Sequence, residues 1–382
     1  MTDLSRPIYL DHNASTPLLP EVLEAMLPYL TDRFGNPSSE HAYGRLLRSG
    51  VVKAREQVAA LISSDPVEIF FTSGGTEANN LAIRGVAAAS DTRRQIVTSM
   101  IEHPATSAPC AWLENQGFRV DRAKVDGNGA VRLPDIRRFI GHQTLLVTVM
   151  HANSETGTLQ PIREIARHAH DAGALVHTDA AQSIGKLPVS VQHENVDLLS
   201  IAGHKLYAPQ GVGVLFVRSG TAIAPLLLGA GHENGLRPGT ENVAAIVGLG
   251  AACETAQRSL TEESVRIREL RNHFWGRLRQ QIPDIRLNGH PENRLPNTLS
   301  VRFPGVSGNE LLNACPEIAA STGSACHESG TSASDVILAM GVAPDEAIGT
   351  VRLTLGRSND RQQIDRAADT LARAWVSMSE GG

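Results

Sequence analysis

The chain carries only four cysteines in 382 residues, at Cys110, Cys253, Cys315 and Cys326, and none forms a C-x-x-C pair. That is too few for a disulfide scaffold, so the chain reads as reduced and cytoplasmic, its cysteines either buried or reactive. There is no basic excess. Lys plus Arg number 35 against 40 Asp plus Glu, a formal net charge of −5, so the electrostatic footprint of direct nucleic-acid binding is missing. No run of about 18 apolar residues occurs, which excludes a membrane-spanning helix. The first residues, Met1 to Pro7, lack an apolar core, so a secretory signal is not expected. Neither a G-x-G-x-x-G pattern nor a Gly-Lys-Ser/Thr phosphate loop is present, which disfavours nicotinamide cofactors and nucleoside triphosphates. Fixed-period repeats and low-complexity tracts are also missing. What remains is ordinary: 41% hydrophobic and 20% charged residues, in a length that suits about two domains of about 150 residues each.

Between residues 68 and 218 short apolar runs alternate with helical patterns. The runs are 68–72, 95–99, 145–150, 174–178, 197–201 and 213–217, rich in Val, Ile, Phe and Thr and bounded by Gly, Pro or polar residues. They read as buried strands. Helices lie between several of them, such as 162–172, closed by Gly173. Two helices precede this region, one opened by Pro20 and running through Leu27, the other from about Tyr43 to Ile62. After about Ala252 the texture changes: a charged amphipathic stretch, 262–278, leads into short strands at 298–303 and 351–355. The predicted fold is α/β, a mainly parallel seven-stranded sheet covered by helices plus a smaller α+β unit. The predicted division is residues 15–253 for the large domain, and 1–14 with 254–382 for the small one. The strand-like Ile8-Tyr9-Leu10 has no partner nearby in sequence.

Ligands of parallel α/β sheets bind at the carboxyl ends of the strands. Polar residues cluster there: Ser73-Gly74-Gly75-Thr76-Glu77, Glu102-His103-Pro104, His151 to Gly157, Asp179-Ala180-Ala181-Gln182, and Gly203-His204-Lys205. Glycines before a helix let backbone N–H groups approach one phosphate, although a plain strand-to-helix turn would serve equally. Asp179, ending an apolar strand, needs a cation or donors. Lys205, if desolvated, becomes a nucleophilic amine. A phosphate cradle, a Schiff-base lysine and an aspartate for a pyridinium nitrogen are the parts of a pyridoxal 5'-phosphate site; Asp179 and Lys205 as a structural ion pair is the alternative. Histidines give no metal pattern: His168 and His170 are two apart on a helix, and neither His193-Glu194 nor His232-Glu233 continues to H-E-x-x-H.

These residues carry a family likeness. Residues 9–17 (YLDHNASTP), 34–39 (FGNPSS), 71–80 (FTSGGTEANN), 102–105 (EHPA), 179–186 (DAAQSIGK), 203–207 (GHKLY), 237–242 (RPGTEN), 322–327 (TGSACH) and 352–357 (RLTLGR) resemble class V, fold-type I pyridoxal-phosphate enzymes. Within these the chain is similar to cysteine desulfurases and selenocysteine lyases, over nearly its whole length. The resemblance implies that Lys205 forms the Schiff base, that His103 stacks on the ring and assists proton transfer, and that Asp179 holds the ring nitrogen protonated. It implies Gln182 and Asn153 near the phenolic oxygen, and Gly75, Thr76 and His204 on the phosphate. Thr240 would reach the phosphate of a neighbouring subunit, which implies a homodimer. Asn13, Asn153 and Arg352 would bind substrate, the guanidinium clamping its carboxylate. Cys326 would attack the γ-sulfur of L-cysteine and keep it as a persulfide for an acceptor protein, leaving L-alanine. Iron–sulfur assembly, tRNA or cofactor thiolation and DNA phosphorothioation all start from that persulfide.

Departures are visible. Ala202 stands where many members have a serine that donates to the phosphate, and His12 where a tyrosine is common. Cys326-His327-Glu328 leans toward selenocysteine lyases and specialised bacterial desulfurases, and residues 377–382 end without the longer tail of iron–sulfur desulfurases. A selenocysteine lyase, or another class V aminotransferase with Cys326 a bystander, therefore stays open as an alternative. Cys110 and Cys253 sit in apolar helical contexts and read as core; Cys315 is undecided between core and function.

Overall fold

The computed structural model describes residues 6–323 and 333–380. Twelve strands occur among them: β1 (Ile8–Tyr9), β2 (Ile69–Thr72), β3 (Gln95–Ser99), β4 (Arg119–Ala123), β5 (Thr144–Thr148), β6 (Leu175–Asp179), β7 (Leu198–Ala202), β8 (Gly213–Val217), β9 (Arg286–Asn288), β10 (Thr298–Arg302), β11 (Ile318–Ala319) and β12 (Thr350–Thr354). Seven form one sheet in the order β2-β8-β7-β6-β5-β3-β4. Only β8 runs against its neighbours, so the sheet is mainly parallel. β3, β5, β7 and β8 are buried along their whole length, which is why they read as unbroken apolar runs. The exception is β4, Arg-Val-Asp-Arg-Ala, whose charges gave no strand signal. It lies at the sheet edge, where charge is tolerated and blocks further pairing.

Eight helices up to residue 281 dress this sheet: α1 (Pro20–Leu30), α2 (Ala42–Ile62), α3 (Gly75–Ala88), α4 (Pro104–Asn115), α5 (Leu133–Phe139), α6 (Ile162–Asp171), α7 (Val191–Glu194) and α8 (Val243–Gln281). One apolar core joins α1, α2, α6 and the start of α8 to the sheet. Another packs α3 and α4 on the strands through Leu81, Ile83, Cys110 and Leu113. The expected two-faced cover is thus in place.

A third core lies beyond the sheet. It joins Ile8 and Leu10 to β10, β12, the later part of α8 and the C-terminal helix Arg361–Glu380. Here β10 pairs with β9 and β12 in an antiparallel three-stranded sheet, and β1 pairs in parallel with β11, so the first strand finds its partner about 310 residues away. The change of sequence texture near Ala252 falls inside α8, which is one uninterrupted helix of 39 residues. At 1.5 Å per residue it is about 58 Å long, enough to enter two cores: Leu249 and Ala252 belong to the sheet-facing core, Phe274 and Leu278 to the third.

Candidate active site

The carboxyl ends of the parallel strands surround a cavity of about 310 Å³. Its floor is built by β6 and β7. β6 ends in Asp179, whose carboxylate accepts from Asn79 Nδ2 at 2.7 Å and from the Ala181 N–H at 2.9 Å. Asn79 comes from α3, one turn after Thr76, and its Oδ1 is buried without a partner among the described residues. β7 ends at Ala202 and runs through a short 3₁₀ turn, Gly203–Lys205, which sets Lys205 on the cavity wall.

The cradle is the junction of β2 and α3. Gly74 has φ +153°, a conformation in which a side chain is strained, and α3 starts at the next residue. The first N–H groups of such a helix have no helical acceptor and attract an anion. The loop is braced: Glu77 accepts from the Ser73 N–H at 2.7 Å and pairs with Arg237 at 2.8 Å. Those donors hold its carboxyl below the usual carboxylate range despite burial, which acts the other way. A Cβ on Gly75 would lie 3.1 Å from Cβ of Ala202, so the methyl at 202 abuts the cradle and adds no donor to it.

His103 opens α4 as its N-cap, its Nδ1 accepting from the Ala105 N–H at 3.0 Å. Burial, then the charge of Lys205, lowers its pKa. A neutral imidazole whose Nδ1 accepts carries its proton on Nε2, so His103 offers an N–H donor. Burial and Lys205 likewise lower His204, whose Nδ1 sits 3.2 Å from Ser15 Oγ.

Arg352, on β12, closes the far side. One guanidinium nitrogen donates to Asp11 Oδ1 at 2.7 Å and another to the Ser154 carbonyl at 3.3 Å, while Nε has no partner among the described residues. Asn13 and Gln182 also line the cavity, backed by Lys186, whose Nζ donates to Asn13 Oδ1 at 2.9 Å and to Gln182 Oε1 at 3.0 Å.

Nine residues named from sequence therefore share one cavity wall: Gly75, Thr76 and His204 at the cradle, Asp179 and Lys205 at the floor, and Asn13, His103, Gln182 and Arg352 around the sides. Three do not. Asn153 is buried, but its amide is engaged in its own turn, accepting from the N–H groups of Glu155 and Thr156 and facing the Ile101 carbonyl; its neighbours Ala152 and Ser154 line the cavity instead. Thr240 is exposed and lies outside the cavity of its own chain. Cys326 lies outside the described residues, as does His327; Gly323, three positions before Cys326, lines the cavity. The other three cysteines are buried, and burial pushes the thiols of Cys110 and Cys253 up to about 12 and that of Cys315 to about 11.

Sequence reasoning gave no role to Asn79, Asp11, Lys186 or Glu102. Each stands inside a recognised segment, but its partner is distant in sequence. Glu102 illustrates this. It accepts from the N–H of Met150, 48 positions away, as well as from Ser99 Oγ, and burial raises its carboxyl to about 8.

The donor set fits pyridoxal phosphate: a helix start for a phosphate, a carboxylate held by two donors for a ring nitrogen, and an amine on the same wall. Among the described residues no cluster of His, Cys, Asp or Glu could hold a metal ion, and no helix is long and apolar enough to cross a membrane.

The fold is that of fold-type I pyridoxal-phosphate enzymes. Residues 8–367 match the aminotransferase class-V family, and the chain belongs to it. It is 44% identical over 373 residues to the cysteine desulfurase IscS of Dictyoglomus turgidum, covering 97% of this chain and 95% of that protein. A solved NifS-like protein superposes with a TM-score of 0.90 at 36% identity, covering 98% of this chain and 99% of its own. SspA, solved in complex with cysteine, gives 0.80 at 35% identity over 91% of this chain and 98% of its own.

Proposed function

We propose that the chain is a pyridoxal-phosphate-dependent cysteine desulfurase that converts L-cysteine to L-alanine and holds the sulfur as a persulfide on Cys326 for an acceptor. The observation that carries this is the meeting of Asp179, Lys205 and the start of α3 in one cavity with Arg352. SspA with bound cysteine, together with the IscS likeness, supports the choice of substrate.

When bound, pyridoxal phosphate supplies an electron-withdrawing ring and an aldehyde that an amine can join. Lys205 provides that amine. Asp179, kept in place by Asn79 and Ala181, would keep the ring nitrogen protonated. Gly75, Thr76 and His204 would hold the phosphate, and Gln182 would offer an N–H to the phenolic oxygen. His103 donates a proton from Nε2 on the cavity side. Arg352 binds the substrate carboxylate with the N–H groups that Asp11 and Ser154 leave free. The nucleophile is then a thiolate: Cys326 Sγ bonds to the substrate γ-sulfur, the carbon–sulfur bond breaks, and its electron pair stays with the carbon, which takes a proton to become alanine. The other cysteines do not serve, because their buried thiols stay protonated near neutrality.

Thr240, exposed in one chain, would complete the cradle of a second copy in a homodimer. The apolar residues exposed on and around α1 and α2, among them Leu23, Leu27, Leu30, Phe34 and Tyr43, agree with such an interface. We read residues 15–253 as the cofactor-binding unit, and 1–14 with 254–382 as the unit carrying Cys326.

The test is the pair of wild type and Cys326→Ala, assayed for alanine from cysteine and from selenocysteine. The variant is expected to keep its bound cofactor and lose cysteine desulfuration. Undiminished desulfuration by the variant would refute the persulfide route, and a preference for selenocysteine that survives Cys326→Ala would make the chain a selenocysteine lyase.

A further inference from the structure

We propose that Lys186, a second lysine behind the site, is a positioning residue that sets the amide of Gln182 for the cofactor and closes the amide of Asn13 to it. The inference deepens the reading above and rests on it.

Hydrogen-bond accounting carries the argument. Asn13 Oδ1 accepts from Lys186 Nζ at 2.9 Å and from Asn297 Nδ2 at 3.0 Å. Its Nδ2 donates to the Ser154 carbonyl at 3.1 Å and to Thr298 Oγ1 at 2.9 Å. An amide has two acceptor sites and two N–H groups, so Asn13 is saturated within the protein although it lines the cavity. It works as a clasp between the loop after β1 and the start of β10, and has nothing left for substrate.

Gln182 differs. Its Oε1 takes Lys186 Nζ at 3.0 Å, and its Nε2 gives one N–H to the Asn13 carbonyl at 3.0 Å. A peptide carbonyl only accepts, so the Asn13 carbonyl must face the Gln182 NH2 and the amide has one allowed orientation. One N–H remains, on a residue that lines the cavity. The site therefore meets a hydrogen-bond donor at Gln182, the polarity that a phenolate oxygen requires. Lys186 is half-buried and is not among the residues that line the cavity. Its amine nevertheless feels the charges of Lys205 and Arg352, which with burial depress its pKa well below the usual value. Removing it would leave Gln182 Oε1 unpartnered and free the side chain to turn.

The experiment is a double-mutant cycle on the full chain with Lys186→Met, Gln182→Met and the pair, each stripped of cofactor and titrated with pyridoxal 5'-phosphate. Lys186→Met is expected to fold cooperatively, to weaken cofactor binding about tenfold, the size of one lost hydrogen bond, and to displace the visible absorption maximum of the bound cofactor. Gln182→Met should do the same, and the double variant should be no worse than the weaker single, because one residue acts through the other. Should Lys186→Met fail to fold, Lys186→Gln, which keeps an N–H donor, is expected to retain the wild-type absorption maximum. Wild-type affinity and spectrum in Lys186→Met, a displaced maximum in Lys186→Gln, or losses that add in the double variant, would overturn the inference alone. A wild type that binds no pyridoxal phosphate would overturn the functional reading and this inference together.

Discussion

Asp11 and Arg352 are 341 positions apart, yet they form an ion pair of 2.7 Å in which the guanidinium is almost wholly buried. A buried guanidinium whose partner is removed loses the charge that compensates its desolvation. With one nitrogen on Asp11 and another on Ser154, the fork is fixed in plane before any substrate arrives. Asp11→Asn keeps an oxygen in place and removes the charge. We expect KM for L-cysteine to rise about tenfold with a smaller change in kcat, measured by alanine release. An unchanged KM would mean that Asp11 plays no part in orienting the clamp. The same pair shows what was legible at this scale. Asp179, Lys205 and His103 announce themselves because each is a polar residue ending an apolar run. Asp11, Asn79 and Lys186 act through partners that only folding brings near, so a linear reading assigns them no role. Asn153 differs from these: its side-chain oxygen accepts from the N–H groups of Glu155 and Thr156 and closes its own loop.

Among the elements, glycine decides how closely two pieces of backbone approach. Gly213 begins β8, and a Cβ there would lie 2.6 Å from the carbonyl carbon of Gly74 and 2.7 Å from the Ile201 oxygen, both backbone atoms. The reversed strand thus presses directly on the cradle. Gly213→Ala is expected to cost about 1–3 kcal/mol of stability, as forced overpacking does, and to weaken pyridoxal-phosphate binding in parallel. Gly276, in α8, has open space where its Cβ would be. Gly276→Ala should stabilise by about 0.5–1 kcal/mol, the helix-propensity difference. Thermal melts of both variants check the pair, and equal shifts would refute the contrast. The elements read well from sequence were those buried on both faces. β4, with its charges, and β9 and β11, only three and two residues long, offer too little apolar pattern to register. The continuity of α8 escaped for another reason. Its early part packs small residues tightly against α2, where Gly250 would place a Cβ 2.6 Å from Ala54 Cα, whereas its later part is charged and amphipathic. Two textures therefore belong to one helix.

For the molecule as a whole, the buried titratable groups set how stability follows pH. Burial lowers His12 and His177 to about 4. Each is held neutral by the fold, so its contribution is present above the unfolded value of about 6.5 and is lost as pH falls toward 4. Each contribution is about 3 kcal/mol at 1.36 kcal/mol per unit. Burial raises Glu102 to about 8, which has the opposite sense. The fold favours its protonated form, so that contribution is present below the unfolded value near 4.3 and is lost as pH rises through 8. From pH 4.5 to 6.5 two histidines gain while one carboxyl loses, and stability climbs. From pH 6.5 to 8 only the carboxyl among these three still changes, and stability declines by about 2 kcal/mol. The summed contribution of these three groups therefore peaks near pH 6.5, and removing the carboxyl isolates its share of the melting temperature. Glu102→Gln, which retains a group able to bond with Ser99 and Met150 but does not ionise, should abolish the decline between pH 6.5 and 8 and leave the acid limb in place. Calorimetric melts of wild type and variant across pH 4 to 9, in matched cofactor state, decide it. An alkaline decline that persists in Glu102→Gln would show that the Glu102 carboxyl is not its source.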